Sequence, residues 1–424
     1  MLKKTKFQTS RGNNLIFVSY FSGIQGMVMS EWAEDKLLVT ENLFSTTYLV
    51  TSIASRDRNR RNIQVIKVPS LSWHDFSWEI KEYRKNLKRK SIGLILWYLI
   101  AASIGRLWDL AFRQVSINSA ARWSWAFSAL PVTLFLIFRQ RGSAIFATGG
   151  ATGGHLLGLL ANFVSKVPLY LEFQDPLMGS EMKRSDSNAK MISKLEGLFI
   201  YRSVRTVFVS NKAAQSSAAR HPQLKQQITS IYPGAWKFLD SKTNTNVYAR
   251  PNIEILHLGT LYGARNLDNF FLALDNLREA GIKNANRVCV KNLGDIYLEN
   301  KSIYFDRSDF ELLLPQQRSE ALRRALDSDA LLLIQHADSR SNETIPYKTF
   351  DYLNLKKPIF GVINNPELKV LLNSDSNYLA NASSVESIQE TLKRFLSEFD
   401  LKRKGPATFE NDFDINKQFA RIFE

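Results

Sequence analysis

The chain has 424 residues, beyond the roughly 250–300 at which a single hydrophobic core stops growing, so two domains are expected. Hydrophobic residues make up 45% and charged residues 23%, a globular balance that excludes wholesale disorder and a polytopic membrane protein. A formal net charge of +16 calls for polyanionic surroundings of some kind, with nucleic acid, anionic lipid and phosphorylated substrates all qualifying.

Cys289 is the single cysteine, so no intrachain disulfide can form and a disulfide-built secreted scaffold is excluded. Met1 leads into Leu-Lys-Lys-Thr-Lys, with no apolar run of signal-peptide length before Leu15. A cytoplasmic location is therefore expected. Asn14–Ser19 reads as a first strand, ended by a glycine-containing turn through Gly26 and followed by a helix through Leu38. Thr46–Ser52 and Ile63–Val68 read as the next two strands.

Two apolar segments then interrupt this rhythm, forming an inserted helical region over about residues 85–140. Ser91–Gly105 is uncharged, and so is Trp123–Phe138, which contains Pro131. Both are shorter than the roughly 20 residues that a membrane span needs. The second suits a core helix as well as an interfacial one. The first directly follows the basic cluster Lys81, Arg84, Lys85, Lys88, Arg89 and Lys90, a pairing that favours contact with an anionic membrane surface. A further basic cluster comprises Arg56, Arg58, Arg60 and Arg61. Neither carries the interleaved aromatic and basic signature of a nucleic-acid reader, so no nucleic-acid partner is expected.

Strands resume at Ser143–Thr148, Val167–Phe173 and Val204–Ser210, each separated by a helix-length segment, as in a mainly parallel sheet. The polar, turn-rich stretch Asp240–Asn246 reads as a connector. The pattern then restarts with a strand at Ile253–Leu258 and a helix whose one face carries Leu267, Phe270, Phe271, Leu274 and Leu277. Further strands are expected at Arg287–Val290, Ser302–Phe305, Ala330–Gln335 and Pro358–Val362. The expected domains are residues 1–235, residues 236–400, and a tail over 401–424.

The chemistry concentrates in Asn342-Glu-Thr-Ile-Pro-Tyr-Lys-Thr-Phe-Asp-Tyr-Leu353, followed by Lys356-Lys-Pro-Ile-Phe360. It comes after an apolar strand, at the carboxyl end where open α/β sheets bind ligands. Pro346 suits a first helical turn with Thr344 as its cap, and Lys348, Asp351 and Tyr352 then share a helical face. A carboxylate there can accept hydrogen bonds from vicinal hydroxyls, and a cation there can neutralise phosphate.

This string resembles the donor-site signature of family 4 glycosyltransferases. The resemblance implies an α/β chain of two facing Rossmann-like domains (the GT-B fold), each with a mainly parallel sheet, with the nucleotide-sugar held by the second and the acceptor by the first. In that family an acidic residue, seven others and a second acidic residue grip the sugar and the ribose. Glu343 and Asp351 have this spacing, with Asp in place of the usual second Glu. His257-Leu-Gly-Thr-Leu-Tyr-Gly-Ala-Arg-Asn266 resembles the first loop of the family's nucleotide domain. Gly259 allows close backbone approach, Arg265 is the basic residue before the helix, and Thr260 stands where many members carry an arginine. Lys348 is then available as the second phosphate cation.

In the first domain, Phe17–Phe21 looks like the opening strand and loop of polysaccharide-building members. Val167–Pro176 resembles the strand that leads to a cleft-edge pair, with Gln174 where a His would often be. Asp175 reads either as a turn cap or as an acceptor-side catalytic carboxylate. Thr148-Gly-Gly-Ala-Thr-Gly-Gly-His155 offers glycines whose backbone amides could receive an anion, and His155 reads as a helix-start residue or as a catalytic base. The histidines and Cys289 show no paired ligand spacing, so no metal or other cofactor is expected.

The implied activity is transfer of a sugar from a nucleotide-sugar to an envelope-polysaccharide or lipid-linked acceptor, with retention, at the inner face of a membrane. The alternative is a nucleotide-sugar epimerase-like enzyme on the same fold.

Overall fold

The computed structural model describes residues 13–24, 26–56, 60–86, 92–112, 121–179, 186–237, 251–402 and 413–424. The connector Asp240–Asn246, Arg58 of one basic cluster, Lys88, Arg89 and Lys90 of the other, and Ser91 lie outside the described residues. Two compact units divide the chain: Met1–Pro233 together with Ile415–Glu424, and Gly234–Asp414.

The first unit is built on seven strands: β1 (Asn14–Val18), β2 (Thr46–Ser52), β3 (Ile63–Val68), β4 (Gly142–Gly149), β5 (Leu169–Phe173), β6 (Arg205–Phe208) and β7 (Ile228–Ser230). All pair in parallel, in the order β3-β2-β1-β4-β5-β6-β7. Leu15, Ile16, Phe17 and Val18 are fully buried, as expected of a central parallel strand covered on both faces. The helices of this unit are α1 (Val28–Leu43), α2 (Trp73–Asn86), α3 (Ile92–Phe112), α4 (Trp123–Arg139), α5 (Thr152–Ser165), α6 (Asp186–Arg202) and α7 (Asn211–Arg220).

The uncharged run after the basic cluster becomes part of α3, which continues seven residues past Gly105. Trp97 Nε1 donates to Ser70 O at 2.9 Å, and the Tyr98 ring meets Trp73 edge-on at 5.2 Å. Leu96, Leu99, Ile104, Leu107 and Leu110 are exposed. The second run, α4, buries Trp125, Ala126, Ala129, Leu136 and Ile137 in the core of this unit. Among the described residues no helix is long and apolar enough to cross a membrane.

Below α3, a buried network ties α2 to the loop after β1. Tyr20 Oη donates to Glu79 Oε1 at 2.8 Å, and Ser70 N donates to Glu79 Oε2 at 3.0 Å. Burial raises the Glu79 carboxyl to about 7, against the lowering effect of the Ser70 and Tyr20 hydrogen bonds.

The second unit has β8 (Ile253–Leu258), β9 (Leu261–Tyr262), β10 (Val288–Leu293), β11 (Ile296–Tyr297), β12 (Phe310–Leu313), β13 (Ala330–Ile334), β14 (Ile359–Val362) and β15 (Tyr378–Ala380). Its main sheet is again wholly parallel, in the order β12-β10-β8-β13-β14-β15, and β9 and β11 form a separate parallel pair. Its helices are α8 (Asp268–Glu279), α9 (Ser302–Phe305), α10 (Arg318–Asp327), α11 (Lys348–Leu355), α12 (Pro366–Leu371) and α13 (Val385–Lys402). Strand order reverses between β8 and β13, and the crevice at the carboxyl ends beside such a reversal is where open α/β sheets take ligands.

The strand expected at Ser302–Phe305 is instead the single helical turn α9. Ile303 and Phe305 are exposed while Tyr304 is buried, with its hydroxyl accepting from Leu267 N at 3.2 Å. The strand falls later, at β12, an edge of the sheet where Glu311 and Leu312 are exposed.

The last helix, α14 (Ile415–Ala420), belongs to the first unit. Phe419 meets Phe146 of β4 edge-on at 5.2 Å, and Phe423 lies 4.8 Å from Tyr170 of β5. Both phenylalanines are buried, a contribution of roughly 1.5–3 kcal/mol each.

Candidate functional site

The loops after β8 and β13 meet at the reversal of strand order in the second unit. Gly259 ends β8 with φ +123, a conformation that L side chains rarely adopt. Its amide donates to Leu293 O at 2.9 Å, bringing the end of β10 alongside. Gly294 has φ +146, and a Cβ there would lie 2.5 Å from Gly259 O. The two backbones can touch only because Gly294 carries no Cβ. Gly294 was not singled out from the sequence, where it stands in an unremarked Asn-Leu-Gly-Asp stretch.

Lys348 opens α11 and reaches across to β8. Its Nζ lies 2.6 Å from His257 Nε2 and donates to Leu258 O at 2.8 Å. A Cβ added at Gly259 would meet the same Nζ at 3.6 Å. Tyr352, one helical turn on, accepts from Leu258 N at 3.0 Å, so α11 is fixed to the end of β8 at two points. Burial, and then the charge of Arg265, push the Lys348 ammonium well below the usual lysine range. Arg265 lies in a turn closed by reciprocal backbone hydrogen bonds with Tyr262, its guanidinium 5.1 Å from the Tyr262 ring centre. Among the described residues its buried Nε has no hydrogen-bond partner. Thr260 is half-buried between Gly259 and β9.

The predicted helix start is corrected. α11 begins at Lys348, and Thr344 does not cap it. Thr344 O instead accepts from Gln335 Nε2 at 3.1 Å and from Asn365 Nδ2 at 3.0 Å. Asn365 Nδ2 also donates to Ser341 O at 2.8 Å, so two buried amides shape the loop that carries the half-buried Glu343. Asp351 points elsewhere than Lys348. Its carboxylate takes Arg318 in a two-pronged pair, Nη2 to Oδ1 at 2.6 Å and Nε to Oδ2 at 3.3 Å, while that guanidinium stacks 5.0 Å from the Tyr347 ring. Arg318 was missed from the sequence because 33 residues separate it from its partner.

In the first unit the glycine-rich stretch has a packing role. The Gly153 amide donates to Ala121 O at 2.6 Å and that of Gly154 to Ala151 O at 3.1 Å. A Cβ at Gly150 would lie 1.7 Å from Met29 Sδ, and one at Gly153 2.3 Å from Arg122 O. These glycines admit close neighbours, and two of the amides expected to receive an anion are already satisfied. His155 is 1% exposed, stacks on Phe173 with ring centres 4.3 Å apart, and contacts Glu172 O through Nε2 at 2.7 Å. Burial lowers its pKa, and the ring packs within the core of this unit. Beside it, the buried Glu172 carboxylate is paired with Lys36 and Thr148. Asp175 lies just beyond β5, exposed, next to the buried Gln174.

No family model matches the sequence, and no curated protein matches it by sequence. Solved structures do match over nearly the whole chain. Trehalose 6-phosphate synthase from Burkholderia multivorans has a TM-score of 0.57 at 10% identity, covering 98% of this chain and 95% of that one. HepE of Anabaena, solved with UDP and glucose, has a TM-score of 0.53 at 12% identity, covering 96% and 94%. A candidate UDP-N-acetylglucosamine 2-epimerase from Listeria monocytogenes has a TM-score of 0.50 at 11% identity, covering 97% and 95%. At these identities the likeness is one of fold: the chain has the two-domain GT-B architecture, shared by nucleotide-sugar-using enzymes of more than one reaction type.

Proposed function

We propose that this protein is a glycosyltransferase that moves a sugar from a nucleoside diphosphate donor to a hydroxyl of an envelope-glycan or lipid-linked acceptor, with retention. The observation that carries the proposal is the placement of Lys348 beside Gly259, with the charge of Arg265 acting on it, at the strand reversal of the second unit. Two cations at that point suit a diphosphate. In the reaction the bond from the anomeric carbon to the diphosphate oxygen breaks, and a bond from that carbon to the acceptor oxygen forms. Lys348 and Arg265 stabilise the departing diphosphate. Glu343 is the proposed contact for the donor sugar and Asp351, with Arg318, the proposed contact for the ribose. Asp175 is the proposed acceptor-side carboxylate, receiving or orienting the hydroxyl proton.

The neighbouring 2-epimerase fold supports a second reading, isomerisation of a nucleotide-sugar without transfer. The two differ in products. Transfer releases nucleoside diphosphate in step with label entering an acceptor, and requires that acceptor. Following a sugar-labelled donor with and without a membrane-glycan preparation separates them. Isomerised donor formed without acceptor or nucleotide release would replace the transferase reading with the epimerase one.

The proposed acceptor lies at an anionic membrane surface, because the exposed leucines and isoleucine of α3 directly follow the Lys81–Lys90 cluster. Each such basic residue contributes about 1 kcal/mol near an anionic surface, and the apolar side chains add shallow burial. Co-sedimentation with anionic vesicles at low salt is expected, falling at high salt and when Lys85, Lys88, Arg89 and Lys90 are changed to Gln. Indifference to anionic vesicles at low salt would point to a soluble acceptor.

A further inference from the structure

His257 is a histidine that the sequence pattern alone left without a role. It lies on β8, fully buried, and in the parallel register of β8 and β10 it stands directly beside Asn292. Its Nδ1 is 2.6 Å from Asn292 Oδ1, and Asn292 Nδ2 donates to Gly294 O at 3.0 Å. The second contact fixes which end of the Asn292 amide faces the imidazole. The oxygen must be there, so Nδ1 of His257 carries the proton and donates. Nε2 is then the bare nitrogen, an acceptor, and it faces Lys348 Nζ at 2.6 Å. Burial and the charges of Lys348 and Arg265 hold the ring neutral, which keeps that nitrogen bare.

An ammonium has three N–H donors. Two of those of Lys348 are taken, by His257 Nε2 and Leu258 O, which leaves a single direction for the third. We propose that His257 and Asn292 are positioning residues that hold Lys348 by an ordered chain from Gly294 O through Asn292 and His257, so that one ammonium N–H remains for an anionic phosphate beside Gly259. The inference rests on the reading of Lys348 as a phosphate-binding cation, and adds how that cation is aimed. The chain ends on the backbone of the same glycine that must lie against Gly259, so the two close loops and the lysine form one unit.

The test uses the full chain in two arms. Nitrogen-15 NMR of the unliganded protein is expected to show His257 protonated at Nδ1 and bare at Nε2, and the opposite tautomer would overturn the proposal. The second arm measures binding of inorganic pyrophosphate and UDP by calorimetry to the native protein, Lys348→Ala, His257→Leu and His257→Gln. His257→Leu keeps volume but offers no acceptor, and is expected to weaken pyrophosphate at least tenfold. His257→Gln restores an acceptor toward Lys348 and should recover most of that loss, which a purely structural histidine would not predict. If Lys348→Ala binds pyrophosphate and UDP as the native protein does, the phosphate reading itself fails. Should Lys348→Ala lose affinity while both His257 variants, folded by their thermal transitions, keep it, only the positioning chain is overturned. If His257→Leu does not fold, Asn292→Leu takes its place, with a tenfold loss expected and native affinity contradicting the chain.

Discussion

Replacing Lys348 with alanine is expected to lower sugar transfer by roughly a hundredfold or more at saturating donor, the range seen when one preorganised donor to a developing negative charge is removed. Arg265→Ala should act in the same direction and by a similar factor. Both residues lie at the edge of the sheet rather than in its apolar core, and the lysine is disfavoured as a cation in the empty site, so cooperative unfolding should survive both changes. Near-native turnover in either variant would remove that residue from the phosphate site. The depressed lysine pKa adds a pH signature. Below that value the ammonium is already charged, and diphosphate affinity should not depend on this group. Above it, binding must recruit a proton to the lysine, so affinity should fall by up to about tenfold per pH unit. Lys348→Ala should lose this slope together with the turnover.

The second large effect concerns the two carboxylates. Asp351→Asn removes the charge that holds Arg318 in its two-pronged pair, and with it the proposed ribose contact. Charge-assisted hydrogen bonds contribute about 1.5–3 kcal/mol, so affinity for the bare nucleoside diphosphate should drop by roughly tenfold or more. Glu343→Gln should weaken the complete nucleotide-sugar by a comparable factor while leaving the bare nucleotide nearly unchanged, because its proposed partner is the sugar. Calorimetry with both ligands on both variants decides it, and an equal loss of bare-nucleotide affinity would refute the division of labour.

The readable part of this site was local. Gly259, Arg265, Glu343, Lys348 and Asp351 stand in two short stretches beside apolar strands, and a strand followed by glycine and a helix is enough to place them at the carboxyl edge of a parallel sheet. What the sequence withheld depends on register and reach. Asn292 meets His257 only because β10 pairs with β8 at that step, 35 residues away. Arg318 finds Asp351 across 33 residues, and Asn365 shapes the Glu343 loop from beyond β14. None of these pairs has a periodic signal.

The glycine stretch before α5 illustrates the opposite error. Composition alone suggests an open anion cradle, whereas Met29 and Arg122 fill the space that the missing side chains leave. Likewise the short run Ile303-Tyr304-Phe305 suggests a strand, but one turn of helix is enough to bury Tyr304 and seal the start of α8 through its hydroxyl.

Use of a nucleotide-sugar is tested by thermal stabilisation of the full chain with a panel of nucleotide-sugars and the corresponding bare nucleoside diphosphates, with Lys348→Ala alongside. A ligand at one hundred times its dissociation constant stabilises the form that binds it by about 2.7 kcal/mol, well within reach of a melting experiment. At least one nucleotide-sugar and its own diphosphate are expected to stabilise the native protein, and Lys348→Ala is expected to lose most of both shifts. A native protein whose melting is unmoved by every nucleotide-sugar and every diphosphate at millimolar concentration would not be a nucleotide-sugar enzyme.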